Sequence, residues 1–492
     1  MQAVTDFLLP IVQTINAYLS DYILIFLLIG VGLFYSIRTR FVQVRCFGEG
    51  MKRVFGGLSL KGGKQHGGLS SFQALATAIA AQVGTGNIVG ACGAILIGGP
   101  GAIFWMWIIA FFGMATIYAE AVLAQETKIV GADGSVLGGP VYYIKKAFNN
   151  KFGKFLAVFF AIAITLALGF MGSMVQSNSI AESTNTAFHI PTWVVGLVLA
   201  AICAFIFIGG IQRIASVAEK IVPIMAVIYL LMGLIILGIN VTKLPESFGM
   251  IFKYAFTPNA LLGGGIGAAM KAAISQGVKR GLFSNEAGMG STPHAHAQAK
   301  VEKPHDQGVV AMIGVFIDTF VVLTMTALVV ISTVYAEGGI LSGLTGEAYK
   351  LATTGETAIV AKSSLMQTAV GTAFGNATLG NILVAICLTF FAFTTIISWN
   401  FFGKQNVQYL FGKKAKTATV IYSVLAIAFI FLGSLFPNDL VWELADMFNN
   451  IMVIPNALAL FVLSGIVVAA VKLGKKKKAA KTAEANQVPE QE

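Results

Sequence analysis

Long apolar stretches alternate with short polar ones along this chain. Eleven of them approach or exceed the roughly 20 residues that a membrane-crossing helix needs. In order, segments one to eleven are 19–37, 71–97, 100–124, 154–180, 191–210, 217–240, 261–298, 307–335, 377–402, 417–436 and 441–471. Two are weak: segment two is polar in its middle, and segment seven is barely hydrophobic. The pattern predicts an all-α polytopic membrane protein of about 11 transmembrane helices.

Composition agrees. Of the 492 residues, 56% are hydrophobic and 11% charged, whereas soluble domains carry about 25% charged residues. The 54 glycines follow no G-X-Y period, which excludes collagen. The net charge of +11 would suggest nucleic acid in a soluble chain, but here the basic residues lie between apolar segments, where they set topology. With all eleven segments crossing, one set of alternate loops holds 26 of the 33 lysines and arginines. The positive-inside rule then places the N-terminus outside and the C-terminus in the cytoplasm. If either weak segment failed to cross, the basic loops would stop alternating. The four cysteines form no CxxC, so neither a disulfide framework nor a zinc ribbon is expected. The start, MQAVTDF, has no basic n-region and does not read as a cleaved signal peptide.

The weak segments carry the chemistry. Segment two contains A-Q-V-G-T-G-N-I, with Gly84 and Gly86 flanking Thr85. Each glycine weakens a helix by about 1 kcal/mol relative to alanine. Gln82 and Asn87 would be costly against lipid. A break is expected at 84–87, while Gly90 and Gly93 read as a packing face. Segment seven reads G-V-K-R-G-L-F-S-N-E-A-G-M-G-S-T-P-H, interrupted by four glycines and Pro293, with Glu286 ionisable. The two breaks lie five segments apart, an odd number, so segments 2–6 and 7–11 would be inverted repeats, the pattern of secondary transporters. This repeat rests on segment order, not on residue identity between the halves. The predicted units are 1–66, a peripheral N-terminal helix with a basic loop; 67–240 and 261–471, the two five-helix repeats; and 472–492, a basic tail without structure.

An unwound helix frees N–H groups that suit a carboxylate and carbonyls that suit a hard cation. Other polar residues at depth would complete a pocket. Phe170, Ser173 and Gln176 fall on one face of segment four. In segment nine, Thr395 and Trp399 are spaced i, i+4, beside Thr394 and Ser398. A threonine or serine here could instead bond back to its own helix, and Trp399 could anchor at the interface. Asp318 is the most central acid; proton site, cation aid and structural partner of Lys271 or Lys279 all stay open. Glu120 lies toward the cytoplasmic end of segment three, as a snorkelling or gate-side charge. Asn285 joins Asn87 as a further pocket candidate. His294 and His296 are two apart and make no metal pair. No nucleophile–base pair marks an enzyme, and G-A-D-G at 131–134 reads as a loop, unlike an aspartyl intramembrane protease.

The stretches G-G-P-G-A-I-F-W-M-W-I-I-A-F-F-G at 98–113, A-Q-V-G-T-G-N-I at 81–88, M-V-Q-S-N-S at 174–179 and G-L-F-S-N-E-A-G-M-G-S at 281–291 resemble the alanine or glycine:cation symporter family. That resemblance implies a LeuT-type fold, a 5+5 inverted repeat with two broken helices plus one peripheral helix, in the bacterial inner membrane. It implies import of alanine or glycine by alternating access, coupled to Na+, with H+ as the alternative ion and a passive channel as a more distant reading. No cofactor is implied, and the partners are the amino acid, the ion and membrane lipid, with no nucleic acid. Carried onto matching positions, the substrate would meet Gln82, Gly84, Thr85, Gly86, Gln176, Phe283, Ser284, Thr395 and Trp399, and the cation Gln82, Thr394, Thr395 and Ser398.

Overall fold

A computed structural model describes residues 2–56, 69–130, 135–208, 210–354 and 358–485. The G-A-D-G loop at 131–134 lies outside the described residues. Among those described, seven helices are long and apolar enough to cross a membrane: Thr5–Arg38, Ala102–Thr127, Lys151–Phe188, Gly210–Ile239, Pro304–Tyr335, Ala377–Gly433 and Asn438–Val462. Ser71–Gln82 and Gly86–Gly98 make an eighth if counted together, bent by 46° at the break between them. Ala377–Gly433 spans segments nine and ten, since Ala377–Phe411 and Ala415–Gly433 are joined by the single turn Gly412–Lys414. Segment five is the shorter helix Thr192–Ile208. Segment seven is Ile266–Asn285, an interruption, and the short Pro293–Ala297.

Local chemistry sets several of these ends. Ser70 and Gln73 form a reciprocal capping box on Ser71–Gln82. The Asn376 side chain accepts from the Leu379 N–H at the start of Ala377–Phe411. The last helix, Ser464–Ala485, runs through much of the segment expected to lack structure; its lysines and alanines are good helix formers.

Burial separates the frame from the rim. The apolar window of Pro304–Tyr335 is 72% buried and that of Ala102–Thr127 is 67% buried, against 33% for Gly210–Ile239 and 29% for Thr5–Arg38. The last two therefore lie at the periphery, with side chains such as Phe26 and Leu231 turned outward. Several segments also contain π-helical stretches, including Gly86–Gly90, Thr165–Gly172 and Phe316–Leu323. Such bulges gather at functional sites; these three lie in segments two, four and eight, and a further one, Leu19–Leu24, lies in peripheral segment one.

Candidate functional site

The first break is short. Ser71–Gln82 ends, and the chain resumes as the π-helical Gly86–Gly90. The Gly84 N–H donates to Asn87 Oδ1 at 3.0 Å, and the Thr85 N–H to Gln176 Oε1 at 3.1 Å. Two glycines are required here by close approach. A Cβ on Gly84 would lie 2.5 Å from Thr395 Oγ1, and one on Gly86 would lie 2.9 Å from the Ser284 Cα. The motif residues of segments two, four, seven and nine thus converge on one point. Among the described residues, Gln82 Oε1, Thr85 Oγ1, Gln176 Nε2 and Ser398 Oγ are buried without a hydrogen-bond partner. Buried polar groups are rarely left so.

The second break is longer and lies further along than 84–87 would suggest by analogy. Ile266–Asn285 holds its helix through Phe283 and Ser284, because no glycine intervenes between Leu282 and Glu286. The chain then turns left-handed at Glu286 (φ +58°), Gly288 (+93°) and Gly290 (+79°). Phe283 and Ser284 therefore present the last helical turn to Gly86 rather than unwound backbone. The loop's own N–H groups are committed. Glu120 accepts from the Gly288 N–H at 3.1 Å and the Gly290 N–H at 2.9 Å, and from Asn456 Nδ2 at 2.6 Å. Glu120 is fully buried, which corrects its reading as a snorkelling charge: it clamps the break. Glu286 accepts from Trp399 Nε1 at 2.5 Å and from the Ser291 hydroxyl. Trp399 is 1% exposed, so it is no interfacial anchor.

Asp318 ties the two breaks together. Its carboxylate accepts from Asn87 Nδ2 at 2.6 Å, Ser284 Oγ at 2.9 Å and Thr319 Oγ1 at 2.8 Å. Asn285 Nδ2 donates to Thr319 Oγ1 at 3.3 Å, and Gln82 Nε2 donates to the Asn285 carbonyl at 2.7 Å. Gln82 therefore sits toward segments seven and eight. Thr395 Oγ1 lies 2.9 Å from the Ala80 carbonyl and 3.0 Å from that of Phe391. Thr394 Oγ1 is 3.0 Å from the same Phe391 carbonyl and 3.6 Å from Met225 Sδ.

Two expected pocket residues are placed elsewhere. Phe170 packs on Tyr422 and Phe429, with ring centroids 5.5 and 4.8 Å away. Ser173 bonds back to the Leu168 carbonyl at 3.0 Å. The π-helical stretch Thr165–Gly172 breaks the α-helical period that put Phe170 on the face of Gln176. The sequence reading also missed Trp442. Its ring lies 4.8 Å from that of Phe283, under the Arg280 guanidinium at 4.7 Å, while Arg280 pairs with Asp446 at 2.7 Å. Arg280 in a weak apolar segment was the available signal, since a buried charge needs a partner.

The family model described as the sodium:alanine symporter family matches residues 5–488. The chain belongs to that family. It is 40% identical to the sodium/alanine symporter AgcS of Methanococcus maripaludis, over 94% of this chain and 96% of the relative. It is 38% identical to the amino-acid carrier protein AlsT of Bacillus subtilis, over 91% and 89%. The crystal structure of MhsT in complex with L-phenylalanine superposes with a TM-score of 0.56 at 14% identity, covering 83% of this chain and 99% of that one. This likeness shows a LeuT-type fold. The family member described here is a multi-pass membrane transporter and not an enzyme.

Proposed function

We propose that this family member imports a small neutral amino acid, alanine or glycine, together with Na+ by alternating access between the two faces of the membrane. The carrying observation is the set of unpartnered polar atoms around the first break. Gln176 Nε2 and Thr85 Oγ1 are donors for a carboxylate, and Gln82 Oε1 and Ser398 Oγ accept from an ammonium. Gly84 and Gly86 let the neighbouring helices close on the break, while Phe283 and Trp399 wall it and limit the side chain. Their rings meet edge-on at 5.9 Å.

The Na+ is assigned to oxygens of segments two and nine. The Thr395 hydroxyl lies about 3 Å from both the Ala80 and the Phe391 carbonyl, and the Thr394 hydroxyl about 3 Å from the latter; such neutral oxygens are the ligands a hard cation takes. Gln82 leaves the cation set for the substrate, since its amide turns toward Asn285. We assign eleven crossings and a cytoplasmic C-terminus on the distribution of basic loops, an inverted 5+5 repeat on the five-segment separation of the breaks, and a bacterial inner membrane on the family resemblance. One charge moving through about 100 mV gains about 2.3 kcal/mol, enough for concentrative uptake.

Asp318 favours a second reading, proton coupling, because a buried acid touching both the first break and the helix turn before the second would sense the occupancy of the site. Labelled alanine and glycine uptake into proteoliposomes decides, with Na+ and H+ gradients imposed separately. Uptake driven by Na+ alone supports the first reading; uptake driven by H+ alone supports the second. Uptake indifferent to both leaves a passive channel.

A further inference from the structure

We propose that Cys46, Glu49 and His305 form a site for a soft divalent transition metal, Zn2+ by its ligand chemistry, that fastens the loop after segment one to the start of segment eight. One thiol, one carboxylate and one imidazole offer ligand atoms that all lie within 4.8 Å of one another. In a tetrahedral zinc site, bonds of about 2.0–2.3 Å put ligand atoms roughly 3.5 Å apart. His305 Nε2 and Glu49 Oε1 already stand 3.6 Å apart.

The local fold builds this arrangement. Cys46 precedes the helix Phe47–Phe55, so Cys46 and Glu49 are one turn apart on the same face. Pro304 starts the helix Pro304–Val315, and its first turn delivers His305. Tyr118 Oη lies 2.6 Å from His305 Nδ1. That bond fixes the ring and leaves Nε2 for a metal, which is the outer-shell contact that zinc-bound histidines characteristically have. Arg53 Nη2 holds Glu49 Oε1 at 3.1 Å and Asp306 Oδ1 at 2.7 Å, orienting the carboxylate.

Of the three ligands Glu49 reaches solvent: with Asp306 it lines a cavity of about 910 Å³, while Cys46 and His305 are buried. Lys52, Arg53 and Lys303 also line it. The rim also carries Glu302 and is of mixed charge, so the preference for a soft metal over a hard one comes from the thiol and imidazole ligands themselves. A metal here joins the loop after segment one to the start of segment eight, and Gly474 of the last helix packs against the same imidazole: a Cβ on it would fall 2.4 Å from the ring. With segment eight tied at this end, its movement during transport is restrained. That last consequence rests on the transport reading; the metal site does not.

The test begins with Co2+ titrated into the purified full chain. Thiolate-to-cobalt charge-transfer absorption should saturate at one equivalent, be displaced by Zn2+, and vanish in Cys46→Ser. A variant with Cys92, Cys203 and Cys387 all changed to serine should keep it, which separates loss of the ligand from loss of the fold. No absorption in the wild type, or its survival in Cys46→Ser, overturns the site. In proteoliposomes, Zn2+ on the face of the basic loops should lower alanine uptake several-fold in the wild type and leave Cys46→Ser unchanged. Uptake equally indifferent to Zn2+ in both proteins overturns the restraint. Failure of alanine uptake without any metal sinks the transport reading instead and leaves the cobalt result standing.

Discussion

The two breaks solve one problem in opposite ways. The first is brief, uncharged and crowded by glycine contacts, and it leaves side-chain polar atoms unpartnered. The second runs over 286–292, carries an acid of its own, and has N–H groups taken by a second acid, Glu120. Two glycine-rich breaks are therefore bonded in different ways. The first keeps polar atoms open for the ligand proposed above, and the second is a stiffened elbow against which the first is pressed.

That contrast can be broken most forcefully at Gly86. Gly86→Leu forces side-chain atoms into Ser284 and Phe283, and uptake should drop about 100-fold or more, as mispositioned sites do. A thermal-shift assay on the same variant should show the protein still folded. At the other break, Glu120→Gln turns one of the two oxygens that accept from the Gly288 and Gly290 N–H groups into an amide nitrogen. Leaving one buried N–H without an acceptor costs about 1–3 kcal/mol, so this variant should melt several degrees lower and lose uptake only in proportion. If Glu120→Gln abolished transport at unchanged stability, the elbow would itself be a ligand site.

Smaller effects sharpen the first break. Thr395→Ala should raise the Na+ concentration for half-maximal uptake about tenfold, equivalent to about 1.4 kcal/mol, with Thr394→Ala following more weakly because its hydroxyl partly faces Met225. Gln176→Leu should weaken alanine affinity about tenfold and leave Na+ dependence alone, since a neutral donor contributes about 1 kcal/mol. Trp399→Phe removes the bond to Glu286 and part of the buried ring, and should weaken uptake of alanine about fivefold, as the loss of about 1 kcal/mol implies. Admission of larger side chains by Trp399→Ala would confirm it as a wall.

Much of this was legible along the chain. Glycines beside polar residues at bilayer depth located the first break to within a residue or two, because helix weakening is a local property. Gln176 and Ser284 were found through their motifs and Thr395 through its i, i+4 spacing with Trp399, and they meet at Gly84 and Gly86. Pairings across the bundle were not legible. Asp318 meeting Asn87, Glu120 meeting Gly288, and Glu286 meeting Trp399 join residues more than 100 positions apart, and no periodicity encodes them. Phe170 was misplaced for a different reason: the period used for it assumed 3.6 residues per turn through a stretch that is wound more loosely.

That loose winding sets a phase. Gln176 sits downstream of Thr165–Gly172, which supplies none of the polar atoms at the break. Its angular position is nevertheless dialled by the number of residues upstream, each turning the chain by somewhat less than the roughly 100° of an α-helix. Removing a single residue there would swing the amide out of reach of Thr85 while sparing every side chain in the pocket. Uptake would fall silent with helical content unchanged by circular dichroism, a lesion that no inspection of the contact residues would reveal.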